Sequence, residues 1–209
     1  MKKNKKFSIN YTWSDDTHHT PSIVSNIQKL LTGINTKKLD HLDLGCGNGF
    51  ITKKIYHFFD TSLGIDLSQD GIKFARKKLK SKQISFKHQS AEQLFKQKKK
   101  FGFITSIEVI EHQYDPYKFM KDIEKISKKG AYILITTPFH GYIKNLAISI
   151  LGKMDPHYGP LWQHGHIKFF SVKTLTQLIS LYKFKIIDIK YSGRFYPLSS
   201  SMMFLLKRN

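Results

Sequence analysis

The sequence predicts a doubly wound α/β fold: one mostly parallel sheet with helices on both faces. Three observations point there. Short apolar runs alternate with segments of helical period, the pattern of successive βαβ units. The apolar run at 39–44 feeds a glycine-rich turn that opens a helix, as at the ligand-binding edge of such sheets. Seven strand-like runs are legible, and the last two are joined without an intervening helix, which suits an antiparallel pair.

In chain order, residues 22–33 read as a first helix and 39–44 as the first strand. Residues 50–59 are helical in period, and 62–66 form a second strand. A helix over 70–79 follows a capping-type start at Ser68, and 84–88 is a third strand. The fourth strand spans 101–107. Asp115 and Pro116, both favoured at helix N-termini, open a helix over 117–126. A fifth strand at 131–136, a helix at 173–181 and strands at 185–191 and 201–206 complete the series. Residues 138–170 interrupt the rhythm as a long insertion at the carboxyl edge of the sheet, where ligands bind.

The 209 residues suffice for one domain, read here as 21–209 behind an N-terminal tail and lid over 1–20. With 40% hydrophobic residues the chain is expected to fold. It has no apolar run of membrane-spanning length, and no apolar segment follows the basic N-terminus. A lone cysteine, Cys46, forms neither an internal disulfide nor a cysteine-rich zinc site. The expectation is a cytoplasmic protein, with weak attraction to the inner membrane surface left open by the net charge of +20. That charge also raises nucleic acid as a partner. Of the basic residues, though, only Arg76, Arg194 and Arg208 are arginine, the residue favoured for guanine readout and phosphate clamps. The lysines are spread through the chain and read as a solvated surface, so no specific nucleic-acid partner is expected.

The strongest signal is Asp43-Leu44-Gly45-Cys46-Gly47-Asn48-Gly49. Alternating glycines permit positive φ and close approach of a ligand to the backbone. Asp66, followed by Leu67, closes the second strand, where an acidic side chain accepts hydrogen bonds from ribose hydroxyls. The dinucleotide spacing G-x-G-x-x-G is not met, because its third glycine would fall on Phe50. Asp43 instead offers a carboxylate to an ammonium group, directly or through water. The pattern therefore fits a nucleoside joined to an amino acid better than a pyrophosphate.

These motifs resemble those of the class I S-adenosylmethionine-dependent methyltransferases, over nearly the whole chain. The resemblance implies a Rossmann-like sheet of order 3-2-1-4-5-7-6 with the last strand antiparallel. It implies that the 43–49 loop and Asp66 hold the cofactor, that Ala91 and Glu92 approach its adenine, and that Ile107 lines it at the end of the fourth strand. Glu108, Glu111 and His112, followed by Asp115-Pro116, are similar to a pattern in the ubiquinone-biosynthesis O-methyltransferases. There it holds a divalent cation such as Mg²⁺, and the acceptor is a phenol or quinol hydroxyl. The chemistry is coherent, since a phenol pKa near ~10 leaves little phenolate at neutral pH and a bound cation lowers it. Without a metal, Glu111 instead caps the next helix or His112 serves as a base. A saccharide or lipid-linked acceptor is the alternative, followed by a nucleic-acid methyltransferase and a non-catalytic cofactor-binding protein.

Within the insertion, His140 follows the fifth strand and is a candidate general base near the transferred methyl. Residues 142–151 read as a short apolar helix, either a lid packed on the sheet or a greasy surface for a hydrophobic acceptor or lipid. His164 and His166 reach a common metal only in an extended chain, and with no carboxylate close in sequence they are not expected to hold one. The segment 166–171 resembles one that borders the active site in small-molecule methyltransferases, with Ser171 as N-cap of the next helix. Trp162 and Phe169 are expected as pocket wall or core. Residues 11–19 resemble a lid over the cofactor.

Overall fold

The computed structural model describes residues 20–77, 81–162 and 165–209. Residues 1–19 of the tail and lid expected over 1–20, and His164, lie outside them.

Seven strands form one sheet in the order β3-β2-β1-β4-β5-β7-β6. They are β1 (Asp40–Leu44), β2 (Thr61–Asp66), β3 (Ile84–His88), β4 (Phe101–Ile107), β5 (Ser127–Pro138), β6 (Phe184–Ser192) and β7 (Ser201–Arg208). β1 to β5 pair in parallel, while β7 runs antiparallel to both β5 and β6. The helices are α1 (Thr20–Thr32), α2 (Phe50–Ile55), α3 (Gln69–Lys77), α4 (Ala91–Phe95), α5 (Pro116–Ile126), α6 (Tyr142–Ile150), α7 (Met154–Tyr158) and α8 (Val172–Ser180). This is the Rossmann-like arrangement expected, including the antiparallel last strand.

The two faces follow from strand alternation. Leu42, Leu44, Ile104, Ile133 and Ile135 point to one side and pack on Phe119 and Ile123 of α5 and on Leu175 and Ile179 of α8. Phe103, Leu134, Met203 and Leu205 point to the other and meet Ile27 and Leu31 of α1. β4 is buried at all seven positions, as a central parallel strand covered on both faces must be. The sheet order reverses between β1 and β4, so the carboxyl ends of these strands diverge and leave a crevice.

Differences from expectation are local. The helix read over 50–59 ends at Ile55 and continues as a 3₁₀ turn to Phe58. α4 and α7 have five residues each, too short to show helical period. β5 extends beyond 131–136 at both ends, because β7 pairs with it as far as Pro138 and Phe101 of β4 pairs with Ser127. In the insertion, α6 forms where the apolar helix was read, but none of its residues is buried. It is therefore not a lid packed on the sheet.

Candidate active site

A cleft of about 730 Å³ opens over the carboxyl ends of β1, β2 and β4. Its floor is the turn after β1. Gly45, Gly47 and Gly49 have φ of 79°, 53° and 72°, a run of left-handed backbone that side chains resist. A Cβ on Gly45 would also come within 2.5 Å of Val109 Cγ2. Asp66 ties this turn to β2: Gly47 N–H donates to Oδ2 at 2.8 Å and Ser68 N–H to Oδ1 at 2.7 Å. Each carboxylate oxygen keeps further acceptor capacity toward the cleft.

Of the residues read as cofactor-binding, Gly45, Gly47, Asp66, Leu67, Ala91 and Glu92 line the cleft. Ser90 presents Ala91 and Glu92 by a capping box with Gln93 at the start of α4. Cys46, Asn48, Gly49 and Ile107 stand behind the wall. Cys46 packs with Ile72 and Phe86, and Asn48 Oδ1 accepts from Phe50 N–H to cap the turn. Asp43, read as serving an ammonium group directly or through water, does not line the cleft. It is buried beneath the turn, where Thr52 Oγ1 donates to Oδ2 and Thr105 Oγ1 to Oδ1 at 2.8 Å. Burial lifts its pKa to about 6 despite these donors. Asp43 thus pins the start of α2 to β4 from within the sheet. From Asp43 and Thr105 the hydrogen bonds continue to His41, whose Nε2 lies 2.9 Å from Thr105 Oγ1.

On the opposite wall, Glu108 is the one residue other than glycine with positive φ, 55°, among those described. This conformation swings its side chain toward β5, where Oε1 accepts from Thr136 Oγ1 at 2.7 Å. Burial, opposed by that donor, raises its pKa to about 7. Glu108 therefore does not join Glu111 and His112 as expected. His166 does: one ligand atom from each of Glu111, His112 and His166 lies within 4.8 Å of the others. The reason is the chain path. Ile167 N–H and Lys168 N–H both donate to the Glu111 carbonyl, at 3.0 and 2.9 Å, and lay the 165–168 segment along the 3₁₀ turn Ile110–His112. The carboxylate missing near His166 in sequence is thus supplied in space, which corrects the reading that excluded this histidine.

Glu111 is fully buried, and neither carboxylate oxygen has a hydrogen-bond partner among the described residues. Burial and the neighbouring Glu108 push its pKa to about 9. His112 Nδ1 lies 3.1 Å from the Gly165 carbonyl, so Nδ1–H donates to it. His166 is held neutral, its pKa lowered to about 4 by burial and by His112 and His157. His112 and His166 around this buried carboxyl form a donor set that fits a divalent cation. His112, Trp162, Gly165 and Ile167 line the cleft on this side, with Tyr114 at its rim.

His140 does not reach the cleft. It lies in an aromatic cluster with Tyr158, stacked at 5.8 Å, and with Phe169 at 5.1 Å, where burial and Lys144 lower its pKa to about 4. The fold of α6 and α7 over the end of β5 draws it away. Trp162 is a cleft wall, as one reading of the sequence had it. His166 as a partner of Glu111 was the residue that sequence reasoning missed.

Comparison with known proteins agrees with this architecture. A family profile described as "Methyltransferase domain" matches residues 17–189. A ubiquinone biosynthesis O-methyltransferase of Pelagibacter ubique is 36% identical over 119 residues, which are 56% of this chain and 48% of that protein. One of Dinoroseobacter shibae is 28% identical over 78% of this chain and 66% of its own length. The chain thus spans about half to two thirds of the length of these relatives. Among solved structures, magnesium protoporphyrin IX methyltransferase from Synechocystis with bound SAH superposes with a TM-score of 0.69 at 13% identity, over 92% of this chain and 86% of that one. With a glycine turn, a β2 aspartate and this sheet order already in place, the chain belongs to the S-adenosylmethionine-dependent methyltransferase-domain family.

Proposed function

We propose that this protein transfers the methyl group of S-adenosylmethionine to a hydroxyl of a small molecule, with a phenol or quinol as the leading class of acceptor. The observation that carries the reading is the buried Glu111 carboxyl, without a hydrogen bond among the described residues and 3.9 Å from His166 Nε2, beside the cofactor cleft. An oxygen nucleophile needs its proton removed as it attacks, and this group is built to handle charge at that point. The relatives named for ubiquinone biosynthesis support the phenolic class.

In this reading Asp66 accepts from the ribose hydroxyls, the turn at Gly45 and Gly47 faces the methionine portion, and Ala91 and Glu92 border the adenine. The acceptor lies against His112, Trp162 and Ile167. Its oxygen attacks the methyl carbon, the carbon–sulfur bond breaks, and S-adenosylhomocysteine leaves as a neutral thioether. With no cation bound, the hydroxyl proton passes to the His112 imidazole, whose Nδ1–H donates to the Gly165 carbonyl. A divalent cation, if bound, is held by Glu111, His112 and His166 and supplies Lewis acidity to the acceptor oxygen. Mg²⁺ is the ion read from the sequence, while two histidines tilt the set toward Zn²⁺ or Mn²⁺.

A lipid-linked acceptor is the second reading, favoured by the apolar, exposed rim of Tyr114 and Leu67. Calorimetric titration with S-adenosylmethionine, followed by turnover assays on catechol and polyprenyl-phenol acceptors, tests the proposal. Glu111→Gln should lower turnover by roughly ten-fold or more while cofactor affinity stays within about two-fold. Full turnover in that variant sinks the role of Glu111, and full activity in excess chelator removes the cation.

A further inference from the structure

We infer that the amino-terminal edge of the sheet, opposite the cleft, binds the sugar–phosphate backbone of a nucleic acid without reading its sequence. Lysines that are scattered along the chain meet there. A pair at 37–38 precedes β1, three at 98–100 precede β4, and two at 128–129 lie at the start of β5. Because β7 is antiparallel, its last residues reach the same edge and bring Lys207, beside Lys185 of β6. All of these side chains are exposed. β1, β4, β5, β7 and β6 are successive neighbours, so at roughly 4.8 Å per strand the row runs for about 19 Å. One strand of a duplex presents about five or six phosphates over that length, at roughly 3.4 Å each.

Folding alone does not account for the row. Lys185 lies directly opposite Lys207, and like charges in that relation cost stability. Asp40 is the one acidic residue in 37–40, 98–101, 127–130 and 207–208, and it is already taken by Lys128 Nζ at 2.9 Å. A bound polyanion relieves this repulsion. Arg208, the one arginine at this edge, is turned inward to the carbonyls of Glu124 and Ser127. The edge therefore offers ammonium groups and no planar fork, which suits phosphate contacts and not base readout. None of the large exposed apolar side chains falls in these segments. The edge thus lacks the apolar half of a membrane anchor and the central anchors of a protein interface. β4 spans seven residues, so a strand bound here lies about 20 Å from the cleft and is not the methyl acceptor. The inference stands whichever acceptor the cleft takes.

The test is fluorescence anisotropy of the full chain with a labelled oligouridylate of ~20 nucleotides and a duplex of about the same length, between about 50 and about 200 mM salt. Binding to both, falling steeply with salt, is expected. The triple substitution K98Q/K100Q/K129Q should weaken binding at low salt on the order of ten-fold and flatten the log–log salt slope for the single strand by about two. The control K121Q/K153Q/K173Q removes the same charge away from this edge and should change affinity by less than about two-fold. Both variants should keep the parent's melting temperature and S-adenosylmethionine affinity. No binding to either nucleic acid overturns the inference. So do equal losses in the two triples, which would reduce binding to net charge. Binding of phosphatidylglycerol vesicles through the edge lysines, with no nucleic acid bound, would assign the row to lipid instead.

Discussion

Asp66 combines two tasks in one carboxylate. It anchors the backbone of the glycine turn through Gly47 and Ser68, and its remaining acceptor capacity faces the cleft. Asp66→Ala should therefore weaken S-adenosylmethionine binding on the order of 100-fold, the loss of about two charge-assisted hydrogen bonds. Unchanged affinity in calorimetry would refute the ribose assignment. His41 is a different case, buried and stacked on Phe59 at 4.3 Å, with burial lowering its pKa to about 3. Below pH 6.5 the unfolded chain binds a proton that the folded imidazole refuses. This contribution to stability is whole above pH 6.5 and declines as pH falls toward 3. The raised carboxylates Asp43, Glu108 and Glu111 act in the opposite sense, since the folded chain keeps protons there that the unfolded chain releases. A comparison with His41→Asn separates the two. From pH 6.5 to 5, wild type should lose more unfolding free energy than the variant, read by denaturant titration. Equal slopes would mean that His41 titrates normally. At this scale the sequence was legible where a residue acts through its neighbours in the chain, as at Gly45 and Asp66. It misled where the partner is remote. Nothing near Asp43 announces Thr105, and nothing near His166 announces Glu111. Glu108 was misread because its positive φ, which turns the side chain to Thr136, leaves no trace in residue type.

Strand edges were readable because burial dictates them. β3 and β4 lie where the apolar runs put them, and β7 extends past its predicted end only by charged residues at the sheet margin. Helices were readable where a cap is chemical. Asp115 accepts from Lys118 N–H at the start of α5, and Ser171 forms a capping box with Thr174 at the start of α8. Ser171→Ala should cost about 1 kcal/mol and lower the melting temperature by a few degrees, checked by scanning calorimetry. No shift would mean that α8 is held by Leu175 and Ile179 alone. α4 and α7 escaped notice because one turn and a half has no period to detect. For α6 the period was plain but its meaning was not, since an amphipathic helix looks the same whether a core or another phase takes its apolar face.

For the whole molecule, topology and family were legible and the acceptor was not. The sheet order follows from a chain of βαβ units plus one short last connection, and the cleft follows from the reversal between β1 and β4. In the function proposed here, the acceptor meets a rim assembled from β2, the 3₁₀ turn after β4, Trp162 and the 165–167 segment, distant from one another in sequence. The place of β7 has a consequence for biosynthesis. It follows β6 in the chain yet lies between β5 and β6, with Ile133, Leu134 and Ile135 of β5 paired to Leu206, Leu205 and Phe204. While the chain is emerging from the ribosome, β6 has no strand to join, and the apolar edge of β5 stays open until Ser201–Arg208 is released. Synthesis that pauses before Ser201 holds a half-built sheet with an open apolar edge, which the closing strand covers.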